Sequence, residues 1–260
     1  MMKHSLRRDT ALLEAVTVPS QAALLEDLRD RIAREEGFAV ATMNLDHAVK
    51  LRQDSSFRQA YAAQTHVTAD GRPIVWLSRL AGRPVSLVTG SDLVGPLIEL
   101  CAKLGAPVAL LGSTPEALRE AAERLRAHHP GLQIAALLSP AMGFDPSGAA
   151  AEGLIEDLQQ SEARVCLLAL GAPKQEMFAA RALQALPCIG FVSVGAGLDF
   201  VAGTQKRAPR LVRRFALEWM WRLSGNPRRL FRRYASCAAI LPALTWSALS
   251  MRVDNAVKRE

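Results

Sequence analysis

Aromatic side chains and paired cysteines are scarce in this sequence, and each scarcity excludes a class of protein. Aromatic residues make up only 5% of the 260 residues, which argues against a single-strand nucleic-acid platform, because such platforms stack bases on aromatic rings. The four cysteines form no CxxC pair and three lie in apolar surroundings. We therefore expect the cysteines to be reduced packing residues.

Several motifs that hold nucleotides or metals are also missing from the sequence. The run VGAGLDF (194–200) keeps only the first two glycines of GxGxxG, and there is no GxxxxGK[ST], no cluster of metal ligands and no DxD pair. We expect no metal site and no cofactor. A diphosphate would then have to be neutralised by arginines, which bind phosphate bidentately.

Long apolar runs are absent as well. No run of 18 apolar residues occurs, and Glu14 interrupts the stretch where a signal-peptide core would lie. We expect a cytoplasmic protein without a confident membrane-spanning helix.

Positive charge is concentrated near the C-terminal end. The net charge is +7, yet residues 206–233 contain ten basic residues and one acidic residue. A basic patch of this kind indicates a phosphate-bearing partner, which is a nucleotide, a lipid headgroup or a nucleic acid.

Short apolar runs alternate with helical patterns such as 114–129 and 173–186, and half of the residues are apolar. This alternation predicts an α/β fold with a parallel sheet and helices on both faces. The expected domains are an α/β domain at 1–205 and a basic helical appendage at 206–260. The predicted strands lie in the runs 38–44, 65–70, 85–90, 107–112, 132–138, 164–171 and 188–195.

Small and polar residues follow most of these predicted strands. Ligands of open α/β sheets bind at the carboxyl ends of the strands, where helix N-termini offer N–H groups to anions. Each residue alone is also consistent with an ordinary turn, and Asp70-Gly71 is a common turn pair. The candidate residues at this edge are Thr42, Asn44, Asp70, Gly90, Gly112, Gly171 and Gly195.

The last fifty residues read as two helices. The first covers 207–225, and the second begins at Pro227 and is expected to kink or end at Pro242. The apolar segment 235–249 is too short to span a bilayer. We expect an anchor that lies on the membrane surface, with a helix docked on the protein's own core as the alternative.

The motifs, taken in order, resemble the WecG/TagA/CpsF family, which is glycosyltransferase family 26. The resemblance covers roughly residues 38–234. Its most specific part is GAPKQE (171–176) followed by RAP (207–209) and LEWMWRL (217–223). The other matching motifs are TMN (42–44), ADG (69–71), TGSDL (89–93), LLGSTPE (110–116), VGAGLDFVAG (194–203) and PRRLFRRY (227–234).

The resemblance implies a Rossmann-like fold and an inverting, metal-independent glycosyltransferase. The implied donor is a UDP-sugar, and the implied acceptor is a polyprenyl-diphosphate-linked saccharide. The reaction would take place at the inner face of the cytoplasmic membrane, in surface polysaccharide biosynthesis. The implied partners also include the membrane surface. The low aromatic content and the clustered motifs at the strand ends lead us to expect no nucleic-acid partner, and a homo-oligomer stays open.

The resemblance also assigns roles to individual residues. Asp70 is implied to be the general base, since an inverting transfer needs one base to take the acceptor proton. Lys174 and Glu176, in the same motif as Gln175, are expected to be exposed side chains that do not bind substrate. The residues implied to bind substrate are Thr42 and Asn44 near the sugar, Gly112, Gly171, Gln175, Gly195, Asp199, and the appendage residues Arg222, Arg229 and Arg232 over the diphosphate.

The sequence departs from the family pattern at Leu87, where members usually carry an arginine near the catalytic carboxylate. Arg83 or Arg79 is the substitute that the sequence offers. Two other functions stay open at this point. One is a nucleotide-binding protein with altered or lost catalysis, and the other is a nucleic-acid-binding protein that uses the basic segment.

Overall fold

A computed structural model describes residues 9–206, 208–209, 220 and 227–257. Its centre is a six-stranded parallel sheet with the strand order β2-β1-β6-β5-β3-β4. The predicted α/β class with a parallel sheet is confirmed. The strands are β1 (Phe38–Met43), β2 (His66–Ala69), β3 (Val108–Gly112), β4 (Ile134–Leu138), β5 (Val165–Ala169) and β6 (Gly190–Ser193).

Helices connect the strands and cover both faces of the sheet. The predicted helix at 114–129 begins as expected, because Thr114 accepts the Ala117 N–H and Pro115 takes the first helical position. The described helices are α1 (Gln21–Ala33), α2 (Leu45–Gln53), α3 (Ser55–Ala62), α4 (Arg72–Leu80), α5 (Gly90–Leu104), α6 (Pro115–His128), α7 (Ala149–Gln160), α8 (Lys174–Ala185), α9 (Gly197–Ala202) and α10 (Pro227–Val257). Residues 9–14 are also helical.

Strand β3 is apolar throughout because it is buried on both faces of the sheet. Val108 and Leu110 pack into the cluster on one face of the sheet, whereas Ala109 and Leu111 pack into a cluster on the other face. Successive side chains of a strand point to opposite faces, so both sets are buried only when helices cover both faces. The sheet therefore has an apolar layer on each side.

The prediction of a strand at 85–90 is wrong. In that run the structure has a single parallel bridge, between Leu87 and Ala69. Thr89 already caps α5 by accepting the Asp92 N–H, and α5 begins at Gly90. The extended segment is too short to form a ladder, although it still lies along the end of β2.

Helix α10 begins at Pro227 as predicted, but it continues through Pro242 to Val257. A proline in a helix interior costs roughly 3 kcal/mol. Here the burial of Ile240 and Leu244 on either side of it offsets that cost.

One face of α10 packs against α2 and α4, and its side chains join the same apolar cluster as those from the N-terminal residues Leu12, Leu13 and Val16. The stretch Leu230–Val253 is 24 residues long and has the length and composition of a membrane-crossing helix. The sequence predicts no confident membrane-spanning helix, and this stretch is a candidate by length and composition only. A core helix of a globular protein meets the same criterion, and α10 has one face in the core.

Candidate functional site

The carboxyl ends of the strands bring the predicted site residues to one edge of the sheet. Met43 at the end of β1 is paired with Ala69 at the end of β2. Asn44 and Asp70 directly follow these two residues, so they are neighbours across the strand pair. The Asp70 N–H donates to the Met43 carbonyl over 2.8 Å, which continues the ladder by one bond.

Two polar side chains of β1 face the Asp70 carboxylate. Asp70 Oδ2 accepts from Thr42 Oγ1 at 3.5 Å and from Asn44 Nδ2 at 3.4 Å. Thr42 is buried, whereas Asp70 is half-buried. Gly71 has a φ of 96°, so the chain turns from β2 into α4 through a conformation that favours glycine. The result is an oriented carboxylate that solvent can reach.

Asn44 itself is fixed by the start of α2. Its Oδ1 accepts the His47 N–H at 3.0 Å, while its own N–H donates to His47 Nδ1 at 3.3 Å. This reciprocal pair is a capping box. Burial lowers the pKa of His47 to about 4, so the ring is neutral near pH 7. The role of His47 is one that sequence reasoning missed, although the spacing Asn-x-x-His after a strand resembles the capping-box pattern.

The first turn of α8 places two polar side chains in the interior. Gln175 is 3% exposed and Glu176 is 0% exposed. Gln175 Nε2 donates to Glu176 Oε1 at 2.8 Å, and the same oxygen lies 3.9 Å from His47 Nε2. Burial raises the pKa of Glu176 to about 7. The expectation that Glu176 is exposed is wrong, because α8 packs this turn against α3.

A second polar group lies at the same sheet edge, beyond β3 and β6. The Asp199 carboxylate accepts from the Ser113 hydroxyl through Oδ1 and from Gln205 Nε2 through Oδ2, the latter at 2.9 Å. Thr204 Oγ1 donates to the Asp199 carbonyl at 3.2 Å. Asp199 is half-buried. Hydrogen bonds hold both its carboxylate and its backbone carbonyl.

Three of the four predicted glycines of this edge, Gly112, Gly171 and Gly195, differ in their surroundings. A Cβ on Gly112 would lie 2.5 Å from the carbonyl carbon and oxygen of Ala169, so β3 and β5 approach too closely for a side chain. Gly171 and Gly195 also have positive φ, but a Cβ there would meet no atom within 4 Å. These two turns leave open space beside their backbone.

Leu87 is 43% exposed beside the end of β2. The guanidinium of Arg83 donates to the carbonyls of Leu13 at 2.7 Å and Val16 at 2.9 Å. Arg83 is therefore used to hold the N-terminal segment. Arg79 is exposed in the last turn of α4.

The appendage arginines are described only in part. Arg222 and the side chain of Arg229 lie outside the described residues, and Arg232 is exposed on α10. Its neighbour Arg233 pairs with Asp46 of α2 at 2.9 Å, and Asp46 also pairs with Lys50 at 2.8 Å. The Arg233–Asp46 pair connects α10 to the helix that Asn44 caps, a connection that sequence reasoning missed.

The amino-acid sequence was also compared with known proteins. The model of a family described as "Glycosyl transferase WecG/TagA/CpsF family" matches residues 12–256. A curated relative from Bacillus spizizenii (strain ATCC 23059 / NRRL B-14472 / W23) is 28% identical over 204 residues, which cover 75% of this chain and 74% of the relative. That relative is named N-acetylglucosaminyldiphosphoundecaprenol N-acetyl-beta-D-mannosaminyltransferase.

Proposed function

The chain belongs to the WecG/TagA/CpsF family of glycosyl transferases, and from this premise we propose that it moves a sugar from a UDP-sugar to a polyprenyl-diphosphate-linked saccharide. The transfer inverts the anomeric centre and needs no metal ion. The acceptor is lipid-linked, so the enzyme works as a peripheral protein at the inner face of the cytoplasmic membrane.

The observation that carries this proposal is the Asp70 carboxylate at the carboxyl edge of the sheet. Thr42 and Asn44 orient it through Oδ2, and its half-buried position leaves it open to an acceptor.

In the proposed reaction Asp70 takes the proton of the acceptor hydroxyl as that oxygen bonds to C1 of the sugar. The bond from C1 to the phosphate oxygen of UDP breaks, and UDP leaves with the bonding electrons. One carboxylate opposite the leaving group is sufficient for this single displacement. Asp199 and the open turns at Gly171 and Gly195 lie along the same sheet edge, where the nucleotide is proposed to bind.

The diphosphate carries the charge that the protein must neutralise. We assign this role to Arg222, Arg229 and Arg232, the arginines that match the family motif in the basic segment. Gln175 is buried and already donates to Glu176, so its proposed contact with substrate uses its carboxamide oxygen, which has no partner among the described residues.

The name of the Bacillus relative suggests the first substrates to test. It describes transfer of N-acetylmannosamine to N-acetylglucosaminyl-diphosphoundecaprenol. We propose the same acceptor class for this chain and UDP-N-acetylmannosamine as the first donor. Its uronic acid and UDP-glucose are the alternatives.

Helix α10 supports the proposed membrane location. Its inner face lies in the core, while its outer face exposes Phe231, Trp246, Leu249 and Val253. Apolar and aromatic side chains beside a basic segment suit the interface of an anionic membrane.

The variant Asp70→Asn tests the proposal, because it keeps the size of the side chain but removes the base. We expect transfer to fall by ~10²–10⁴-fold, with UDP binding measured by thermal shift close to that of the unchanged protein. Asp145→Asn, at an exposed loop position, is the matched control and should transfer normally. A near-normal rate for Asp70→Asn refutes the assigned role.

Exposed Leu87 beside Asp70 favours a second candidate function, which is UDP binding with altered or lost transfer. The same assay distinguishes the two functions, since this candidate gives a thermal shift with UDP and no transfer. In that case Leu87→Arg should raise the rate.

A further inference from the structure

The proposed base depends on the orientation of one carboxamide. Asn44 Oδ1 accepts the His47 N–H at 3.0 Å, so this atom is the oxygen and the other is Nδ2. Nδ2 is then the atom that donates to Asp70 Oδ2 at 3.4 Å. If the carboxamide rotated, its oxygen would face the carboxylate and repel it.

The capping box is what prevents that rotation. The Asn44 N–H donates to His47 Nδ1 at 3.3 Å, so backbone and side chain of Asn44 are both bonded to the same residue. A capping box normally has glutamate or glutamine at this third helical position. Here a histidine ring supplies the acceptor, and its Nδ1 must be unprotonated to do so.

Packing against neighbouring aromatic rings holds the His47 ring in the interior. The ring is 5% exposed and lies against Phe57 and Tyr61, with centroids 6.2 Å away in each case. Because Nδ1 is an acceptor, the proton of the neutral ring is on Nε2, which faces Glu176 Oε1 at 3.9 Å. The hydroxyl of Tyr61 donates to the Thr42 carbonyl, so the same group of side chains also holds the residue before Met43.

We propose that His47 is a positioning residue for the transfer reaction. It acts through Asn44, whose carboxamide it locks in the orientation that directs Nδ2 to the Asp70 carboxylate. This inference rests on the proposed function, since it assumes that Asp70 is the base. His47 is buried behind Asn44 and makes none of its described contacts with Asp70.

The test is a pair of variants of similar size, His47→Gln and His47→Met. Glutamine has a side-chain oxygen that can accept the Asn44 N–H as in an ordinary capping box, whereas methionine has no comparable acceptor. We expect His47→Met to lower kcat by about ten-fold, because a misplaced catalytic group is costly. KM for the donor should stay within about two-fold, and His47→Gln should recover most of kcat.

Ser20→Ala is the control for a purely structural effect. Ser20 caps α1 by accepting the Ala23 N–H at 3.2 Å, and its described bonds do not reach Asn44, His47 or Asp70. Its loss should lower the melting temperature but leave kcat unchanged. If His47→Met does not fold, His47→Ala takes its place in the comparison.

The outcomes separate the inference from the proposed function. Equal kcat values for His47→Gln and His47→Met, or no recovery of kcat with glutamine, overturn the inference. In that case an inactive Asp70→Asn still supports the role of Asp70 as the base. A fully active Asp70→Asn refutes the proposed function itself, and the inference is then refuted with it.

Discussion

Replacing the buried Glu176 by glutamine should change how stability depends on pH. Burial raises the pKa of this carboxyl from an ordinary 4.5 to about 7 in the folded protein. Between these values the folded state holds a proton that the unfolded state has released. The contribution of this carboxyl to the free energy of unfolding is therefore fully present below pH 4.5 and is lost as the pH rises through 7. The difference in pKa corresponds to roughly 3 kcal/mol.

His47 changes stability in the opposite direction over much of the same range. Burial lowers its pKa from 6.5 to about 4, so its contribution is lost as pH falls from 6.5 through 4. The two contributions partly cancel in the unchanged protein. The useful quantity is therefore the unfolding free energy of Glu176→Gln minus that of the unchanged protein. This difference should increase by roughly 2–3 kcal/mol from pH 5 to pH 8.

Urea unfolding at pH 5, 6, 7 and 8 measures this difference directly. Glu156→Gln on α7 is the matched control, because Glu156 is exposed and its replacement makes the same chemical change outside the interior. If the Glu176→Gln difference stays constant within about 0.5 kcal/mol, Glu176 is not held neutral by its burial. The claim that burial raises the pKa of Glu176 would then be wrong.

Four further predictions test the terminal helix, the sheet edge and the role of metal. Leu244→Ala on the buried face of α10 should lower the unfolding free energy by about 3 kcal/mol in urea. Trp246→Glu, at a side chain that is 67% exposed, should leave stability nearly unchanged and reduce co-sedimentation with anionic vesicles. Gly112→Ala should destabilise the fold by about 2 kcal/mol or more, because its Cβ would lie 2.5 Å from the Ala169 carbonyl at a φ of 111°; a normal melting temperature would contradict this. Transfer should survive excess EDTA, and a loss restored by Mg²⁺ or Mn²⁺ would contradict the proposed metal independence.

The sheet could be predicted from the sequence because its strands are buried on both faces. Their near-continuous apolar runs, such as 107–112, differ clearly from the helical pattern of 114–129. The run 85–90 has the same composition, but the cap at Thr89 begins a helix before a second residue pair can form. Local hydrophobicity does not show at which residue a strand ends and the next helix begins.

The candidate site was predictable in the part that depends on strand ends. Asn44 and Asp70 follow strands that are neighbours, and the structure brings these two side chains together. The burial of Glu176 depends on how α8 packs against α3, which are far apart in the sequence, so periodicity alone could not reveal it. The helix also does not end at Pro242, since tertiary packing on both sides of the proline outweighs its local preference.

The shared cluster of the N-terminal residues and α10 has a consequence for biosynthesis. Leu12, Leu13 and Val16 emerge from the ribosome before any strand, yet they pack with Ile240 and Leu244, which are translated after all six. At 5–20 residues per second, roughly ten to fifty seconds separate the two groups. The nascent chain must carry an unfinished apolar surface for that time, and a product truncated before α10 would keep it exposed to chaperones and proteases.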